Sequence, residues 1–208
     1  ITLYPLGLII HRLYRDKKYK GAVLDNLKKP AAERNDFNVI INRLQDDGIL
    51  SPYKGLPSKT VFSILGRSHE SPLDVICAID PFGYVSHLSA MEYHGLTDRI
   101  PSQIIFSSPA QADWRRFAMD RMQKDLGDDL PEYIANSMPQ LQRLRIGKIG
   151  KQEVHLFNRA HLGAYRTIRG RMLRVSTIGR TFLDMLQNPE LCGGINHVID
   201  VFESFGAQ

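Results

Sequence analysis

Polar side chains that can pair with nucleic-acid bases recur along one face of a short segment, residues 32–47. Apolar residues there follow helical spacing and define a buried stripe: Phe37, Ile40, Ile41 and Leu44. The other side carries amides and guanidinium groups: Arg34, Asn35, Asn38, Asn42 and Arg43. Asparagine can form two hydrogen bonds with adenine, and arginine can form two with guanine, in the DNA major groove. Because three asparagines disfavour a helix, we interpret this face as a recognition surface. The alternative is a solvated helix face.

A β-hairpin pattern follows this helix. Residues 49–50 predict a short strand, residues 51–58 a loop rich in Pro and Gly, and residues 60–65 a returning strand of β-branched and aromatic side chains. Lys54, Lys59 and Thr60 fall in or beside the loop, where they could contact the phosphate backbone. Beside the polar helix we expect them to belong to the same binding surface. The alternative is a soluble turn.

Two more helices are predicted before this pair of elements. The first has apolar residues at Leu6, Ile9, Ile10 and Leu13. The second is a short helix over residues 22–27, ended near Pro30. Lys17, Lys18 and Lys20 lie between them and could also touch phosphate. Three helices and a hairpin are the order of a winged helix-turn-helix, which predicts a DNA-binding domain over residues 1–66.

The remaining chain predicts a second domain over residues 72–208. Its expected helices begin near residues 72, 85, 114, 177 and 195, and its expected strands lie at residues 102–107, 141–157 and 167–175. A change to period-two spacing after residue 141 indicates a hairpin that turns near Gly150–Lys151. The fold class is therefore α+β: a winged helix-turn-helix followed by a mixed α/β domain with antiparallel strands.

The charges alternate in blocks along the chain. Formal net charges are +6 for residues 1–67, −6 for 68–140, +9 for 141–180 and −4 for 181–208. Basic blocks suit a polyanionic partner. The later block offers a second basic surface: Arg143, Arg145, Lys148, Arg169, Arg171 and Arg174. That surface could bind phosphate, dock an acidic protein, or pair internally with the acidic block.

Enzyme signatures are weak, and we expect no enzyme, metal or cofactor. Gly55–Thr60 reads GLPSKT and lacks the spacing of a phosphate-binding P-loop. His87 and His94 are seven residues apart, too far for a simple chelating pair on a helix. Asp74, Asp80 and Glu153 leave one alternative, a restriction-type nuclease targeted by the winged helix, although its ExK signature is missing. No apolar run is long enough to span a membrane. The two cysteines predict buried, reduced thiols in a cytoplasmic protein.

Two segments carry a family resemblance. YVSHLSAMEYHGLTDRIP at residues 84–101 and RVSTIGRTFLDMLQNPELCGGINHVIDVF at residues 174–202 resemble motifs of the AbiEi-type antitoxins of bacterial type IV toxin–antitoxin systems, which act in abortive infection and phage defence. Gly179 stands where the family usually has an acidic residue. The matched segments contain these polar residues: Ser86, His87, Ser89, His94, Arg180, Thr181 and Asp184.

The resemblance implies a regulator with two tasks. The winged helix would bind inverted repeats in its own promoter, in double-stranded DNA, and act as an autorepressor, with copies paired on the DNA as one possible arrangement. The second domain would counter a nucleotidyltransferase-like toxin encoded beside it. The matched polar residues carry no catalytic role over from the family; their other interpretation is helix capping and packing.

Overall fold

The computed structural model describes residues 1–57, 59–67 and 71–206, and its internal contacts divide the chain into two units. The first unit consists of Ile1–Ser68 and Arg115–Arg143, and the second of His69–Trp114 and Leu144–Gln208. Both units contain helices and strands, so the prediction of a mixed α/β fold is confirmed.

The first unit alternates helices with two small hairpins. Its elements up to residue 67 are α1 (Leu3–Asp16), β1 (Lys18–Tyr19), β2 (Ala22–Val23), α2 (Arg34–Asp46), β3 (Leu50–Pro52) and β4 (Phe62–Ile64). β1 pairs with β2 and β3 with β4, both antiparallel. Helices α1 and α2 and the β3–β4 hairpin therefore confirm the predicted first helix, polar helix and hairpin.

The predicted short helix over residues 22–27 is wrong. Residues 18–23 form the β1–β2 hairpin, which turns through Lys20 and Gly21, both at positive φ. Lys18 pairs with Val23 and Tyr19 with Ala22, so the backbone of residues 22 and 23 belongs to the hairpin and no helix begins there. Leu24 and Leu27 instead sit in a turn, where the Leu27 N–H donates to the Leu24 carbonyl at 3.2 Å.

Residues far along the chain complete the core of the first unit. Helix α5 (Gln111–Leu126) is followed by a 3₁₀ turn (Gly127–Asp129) and α6 (Leu130–Ala135). Met122, Leu126, Leu130, Tyr133 and Met138 are buried in one cluster with side chains of α1, α2 and both strands of the β3–β4 hairpin. The predicted boundary at residues 66–72 assigned this stretch to the second domain. The structure instead groups 115–143 with the first unit, because its apolar side chains cover α1 and α2.

The second unit is built on a six-stranded sheet. Its helices are α3 (Pro72–Ile79), α4 (His87–Tyr93), the start of α5, α7 (Ile178–Gln187) and α8 (Ile195–Gly206). Its strands are β5 (Tyr84–Val85), β6 (Gln103–Pro109), β7 (Lys148–Ile149), β8 (Gln152–Arg159), β9 (Tyr165–Thr167) and β10 (Arg174–Ser176). Strand β6 matches the strand predicted over residues 102–107, and Gly150 lies at the predicted turn with φ of 59°.

The sheet is mixed rather than antiparallel throughout. Its strand order is β7-β8-β6-β5-β10-β9. β6 runs parallel to β8, and β5 runs parallel to β10, while the other neighbours are antiparallel. The prediction of antiparallel strands is therefore correct for the pairs β7–β8, β5–β6 and β9–β10 but incomplete, since the two parallel pairs join strands that are distant in sequence.

Candidate nucleic-acid interface

Charged contacts hold the first turn of α2. The backbone N–H of Glu33 donates to the Asp36 carboxylate at 3.0 Å. Lys29 Nζ donates to Glu33 at 3.1 Å and to Asp36 at 3.0 Å. Partial burial raises the pKa of Asp36, but the Glu33 N–H and the Lys29 charge outweigh it, so this pKa lies below its ordinary value. The start of the helix is thus fixed.

The buried stripe of α2 sets which side chains face outward. Phe37 and Ile41 are buried in the first core, and Ile40 and Leu44 pack partly against it. All five residues singled out from the sequence lie outside this stripe and are exposed: Arg34, Asn35, Asn38, Asn42 and Arg43. The orientation on which the recognition hypothesis depends is therefore the one the helix adopts.

A groove of about 270 Å³ runs between α2 and the β3–β4 hairpin. Its floor is apolar and consists of Leu3, Phe37, Ile41 and Phe62. Its polar lining consists of Arg34, Asn38, Asn42, Gln45 and Lys59. Among the described residues that line it, none carries a carboxylate. We call this the α2 groove; it offers amide and cationic donors above an apolar floor.

Four of the predicted residues meet in the α2 groove, and others do not. Asn35 and Arg43 are exposed outside it, with Arg43 Nε 3.9 Å from an Asp47 carboxylate oxygen. Lys54 is exposed in the hairpin loop. The Thr60 hydroxyl donates to the Pro57 carbonyl at 2.6 Å, so it closes the loop instead of pointing at a partner.

Sequence reasoning missed Gln45. It falls eleven residues after Arg34, and eleven residues are close to three helical turns. The signal was present in the spacing 34, 38, 42, 45, which is one polar row along the helix. The sequence pattern did not single out Gln45, because this residue lies at the border between the apolar stripe and the polar face of the helix.

A second groove of about 270 Å³ adjoins the first. Leu3 and Arg34 line both, and the second is completed by residues of the distant stretch: Ile134, Ser137, Met138, Pro139, Gln140 and Gln142. The Arg34 N–H donates to the Asn136 carbonyl at 3.1 Å, which ties this stretch to α2. No sequence pattern pointed to it, because the contact joins residues a hundred positions apart.

The proposed second basic surface does not form as one patch. Arg171 donates to the Asp74 carboxylate at 2.6 Å and to the Ser71 hydroxyl at 3.0 Å. Arg174 donates to the carbonyls of Gly83 at 2.7 Å, Cys77 at 2.7 Å and Asp80 at 2.5 Å. Both guanidinium groups thus form hydrogen bonds within the chain, although the Arg171 side chain remains 42% exposed. Of the three interpretations left open, the Arg171–Asp74 pair fits internal pairing.

The other basic residues are spread over the sheet. Lys148 lies on β7 and Arg145 just before it, at one edge; Arg169 follows β9, at the other. Five strand spacings separate those edges, roughly 24 Å. Arg143 belongs to the first unit. The predicted period-two strand does not extend back to Arg143, because β7 begins at Lys148.

In the second unit His87, Arg180 and Asp184 lie together at a buried ion pair. Arg159 donates to Asp184 Oδ1 at 2.5 Å, and Arg180 reaches the same oxygen at 2.7 Å. Asp184 is fully buried, and both arginine side chains are nearly so. Arg159 also lies 3.3 Å from His87 Nε2. We call this group the Asp184 cluster. Sequence analysis missed Arg159, which lies outside both segments.

The surroundings of the histidine in this cluster disfavour its charged form. Ser86 Oγ lies 2.8 Å from His87 Nδ1 and accepts from the Ser107 hydroxyl at 2.8 Å. Burial lowers the pKa of His87 to about 4; the Asp184 charge opposes that shift and the Arg159 charge adds to it. His87 also adopts φ of 52°, a conformation that costs a non-glycine residue energy.

Neighbouring polar residues extend the same packing. Ser89 accepts the Ile105 N–H at 3.0 Å, His94 Nε2 donates to the Ser176 carbonyl at 2.7 Å, and Thr181 shares a 2.8 Å hydrogen bond with the Ser176 hydroxyl. These bonds join α4 and α7 to strands β6 and β10. All of them are internal, so this set builds the interior of the second unit.

Two of the three carboxylates behind the nuclease alternative are used structurally. Asp80 accepts from Trp114 Nε1 at 3.0 Å, from the Ser108 hydroxyl at 2.6 Å and from the Phe82 N–H at 3.0 Å. Asp74 binds Arg171, and Glu153 lies exposed on β8. In the described ranges no three His, Cys, Asp or Glu side chains are grouped so that they could hold a metal ion.

Burial disfavours ionisation of both cysteine thiols. Cys77 and Cys192 are both buried. Burial raises the pKa of Cys77 to about 11 and that of Cys192 to about 12. Near neutral pH both remain thiols, and a thiol is a poor nucleophile and metal ligand compared with the thiolate.

We compared the chain with known proteins. No family model matches it, and no curated protein does. Within the described residues, none of the helices is both long and apolar enough to cross a membrane.

Proposed function

We propose that this protein is a sequence-specific DNA-binding regulator whose first unit binds duplex DNA with α2 in the major groove. The observation that carries the proposal is the polar row of the α2 groove. Arg34, Asn38 and Asn42 are exposed along one side of α2, and Lys59 of the neighbouring hairpin lines the same groove. Amide and guanidinium groups on an exposed helix face suit base edges.

The spacing of that row matches the duplex. Four residues of α-helix rise about 6 Å, close to two base-pair steps of about 3.4 Å each. Asn38 and Asn42 would each address an adenine and Arg34 a guanine. Lys54 and Lys59 on the hairpin would contact phosphates, which positions the helix without reading sequence. This arrangement corresponds to a wing beside a recognition helix.

The proposed module departs from a standard helix-turn-helix. Within residues 17–33, all of which the structure describes, the chain forms a hairpin and turns rather than a second helix. Helix α2 packs on α1, and the stretch 115–143 adds further apolar contacts. The proposal is therefore a winged-helix-like module in which α1 and α6 support the recognition helix.

Autorepression and antitoxin activity form the second part of the proposal. They follow from the resemblance of residues 84–101 and 174–202 to AbiEi-type antitoxins. In support, α4 from the first segment and α7 from the second pack together and contribute His87 and Asp184 to one cluster. The partners would be promoter inverted repeats and a nucleotidyltransferase-like toxin.

The decisive experiment is selection of duplexes from a random pool by the full chain, followed by a salt titration. We expect one enriched sequence and an affinity that falls steeply with salt, since phosphate contacts release counterions. Equal retention of all duplexes, or none, would end the DNA proposal. Incubating plasmid with the protein and Mg²⁺ separates a binder from a nuclease.

A further inference from the structure

We infer that the β1–β2 hairpin is a second phosphate-contacting wing, on the side of α2 opposite the β3–β4 hairpin. The inference rests on the proposed DNA binding of the first unit and adds a contact surface to it. The partner is the phosphate backbone of duplex DNA. The hairpin presents three lysines within four residues: Lys17, Lys18 and Lys20.

The two ends of α1 place the hairpins on opposite flanks of α2. At one end Leu3 lines the α2 groove beside Arg34. At the other end Tyr14 is buried in the same cluster as Phe37 of α2. Burial raises the pKa of Tyr14, and the nearby Asp36 carboxylate raises it further. Asp36 projects about 160° away from Arg34 around α2, at 100° per residue. The β1–β2 hairpin follows directly from the Tyr14 end of α1.

This arrangement suits a helix lying in a DNA groove. The major groove is about 12 Å wide, so a helix inside it has a phosphate backbone on each side. Helix α1 has 14 residues, a length of about 21 Å. A basic hairpin near each end of α1 can therefore face each backbone. Lysine at such a position contributes charge without base specificity.

The backbone of the hairpin points to a function for its lysines. Lys20 and Gly21 form its two-residue turn, with φ of 48° and 85°. A turn with two positive φ values favours asparagine or aspartate at the first position. Lys17 ends α1 in the left-handed region, where glycine or asparagine is usual. Lysine thus stands at two positions where folding alone favours other residues, and strain of this kind concentrates at functional sites.

The hairpin is also open to a partner. Lys18, Tyr19 and Lys20 are exposed, as are Ala22 and Val23. Lys20 Nζ lies 5.5 Å from the centre of the Tyr19 ring, so the aromatic side chain supports the cation at the tip. Asp16 precedes the hairpin and Asp25 follows it, which leaves the tip itself without a carboxylate in sequence.

The test exploits the turn chemistry. Lys20→Asn removes the charge and puts a preferred residue into the turn, so the melting temperature should stay equal or rise. Duplex affinity of the full chain should fall on the order of fivefold to tenfold at low salt, and the slope of log affinity against log salt should shrink by about 0.9. Lys20→Arg should retain both values. Lys124→Asn, an exposed lysine of α5 in the same unit, is the matched control and should change neither.

The outcomes separate the two proposals. If the wild-type chain binds no duplex, the proposed function itself fails. If the wild type binds but Lys20→Asn binds equally well, or if Lys124→Asn weakens binding as much, the hairpin is not a wing. A loss confined to single-stranded RNA would assign the hairpin another partner and would also overturn the inference.

Discussion

Individual polar side chains in this protein differ in whether they line an open surface or form hydrogen bonds within the chain. Asn38 and Asn42 are exposed and line an open groove, whereas Arg159, Arg171 and Arg174 make internal hydrogen bonds. The same residue type therefore has different consequences at different positions. Substitutions in the groove should change DNA binding and leave stability intact, and substitutions in the Asp184 cluster should do the reverse.

The groove residues should separate sequence preference from affinity. We expect Asn38→Ala to lose about 1–3 kcal/mol of discrimination at one base position. Lys54→Ala should weaken all duplexes about equally, since it would touch phosphate only. The matched control is Asn26→Ala, an exposed asparagine outside the groove. Binding of the selected duplex and of single-base variants measures both effects. Identical profiles for Asn38→Ala and Lys54→Ala would refute the assignment.

The Asp184 cluster should dominate the stability of the second unit. Asp184→Ala leaves two buried arginines without their carboxylate, and breaking a buried pair in this way costs about 3–5 kcal/mol. Urea unfolding followed by circular dichroism gives the change. Glu203→Gln on α8, an exposed acid, should change the free energy of unfolding by less than about 0.5 kcal/mol. A similar, small loss for both variants would contradict the role of the cluster.

His87 makes a specific prediction about pH. Its pKa is lowered to about 4 in the folded chain, against 6.5 for an ordinary histidine. The unfolded chain therefore binds more protons between those values, so stability falls as the pH drops from about 6.5 to about 4. The loss is on the order of 3 kcal/mol. His197, whose pKa burial also lowers, contributes with the same sign.

The variant His87→Asn isolates this contribution, since asparagine tolerates positive φ and does not titrate. Denaturant unfolding at a series of pH values should give a flatter profile for the variant than for the wild type above pH 4. Below about that pH, carboxylates with lowered pKa, such as Asp74, become protonated and destabilise both proteins alike. Parallel profiles between pH 6.5 and 4 would show that His87 is already charged in the folded protein.

At the scale of elements, the distance between neighbouring helices decides whether a helical glycine can be replaced by a larger residue. Helix α1 passes α6 so closely that a Cβ at Gly7 would collide with the Tyr133 hydroxyl, which itself donates to the Pro139 carbonyl at 2.8 Å. Gly179 in α7 faces open space and has an ordinary φ. Close packing therefore requires a glycine at position 7, whereas nothing near position 179 requires one.

Alanine at these two positions should have effects of opposite sign. Gly7→Ala should destabilise the protein by about 1–3 kcal/mol through overpacking. Gly179→Ala should stabilise it by about 0.5–1 kcal/mol, because alanine loses less backbone entropy in a helix. Thermal unfolding of the two variants beside the wild type measures both. Stabilisation by Gly7→Ala would show that α1 and α6 are further apart than the structure has them.

At the scale of the whole molecule, the core of the first unit is completed by residues 115–143, which lie far along the sequence from its other elements. Met122, Leu126, Leu130 and Tyr133 are buried against side chains of α1, α2 and the β3–β4 hairpin. A domain ending at residue 67 would expose that apolar surface to water. The binding surface and its support are therefore separated along the chain.

This dependence predicts how a fragment behaves. We expect residues 1–67 alone to lack a cooperative thermal transition and to bind the selected duplex far more weakly than the full chain does. Calorimetry and duplex titration on both proteins give the comparison. Tyr133→Ala in the full chain should destabilise by about 3–5 kcal/mol as an independent check. A fragment that melts cooperatively and binds with full affinity would show that residues 115–143 are dispensable.

Periodicity in the sequence was sufficient to predict α1, α2, the β3–β4 hairpin and most elements of the second unit, because each is a local pattern. It also placed Asn38 and Asn42 on the open side of α2, since the buried stripe alone determines that side. It failed at residues 22–27, where a short strand and a turn formed instead of a helix, and it did not predict that Arg171 and Arg174 hydrogen-bond within the second unit.

The tertiary structure alone decided which distant groups meet. The pairing of β6 with β8 brings Arg159 beside Ser107, and the packing of α7 brings Asp184 to the same guanidinium. Likewise Gln142 reaches the groove beside Arg34 only because α6 packs under α1. These contacts between distant residues depend on how the strands are aligned in the sheet and on how much apolar surface the packing buries. The spacing of residues within one segment predicts neither of them.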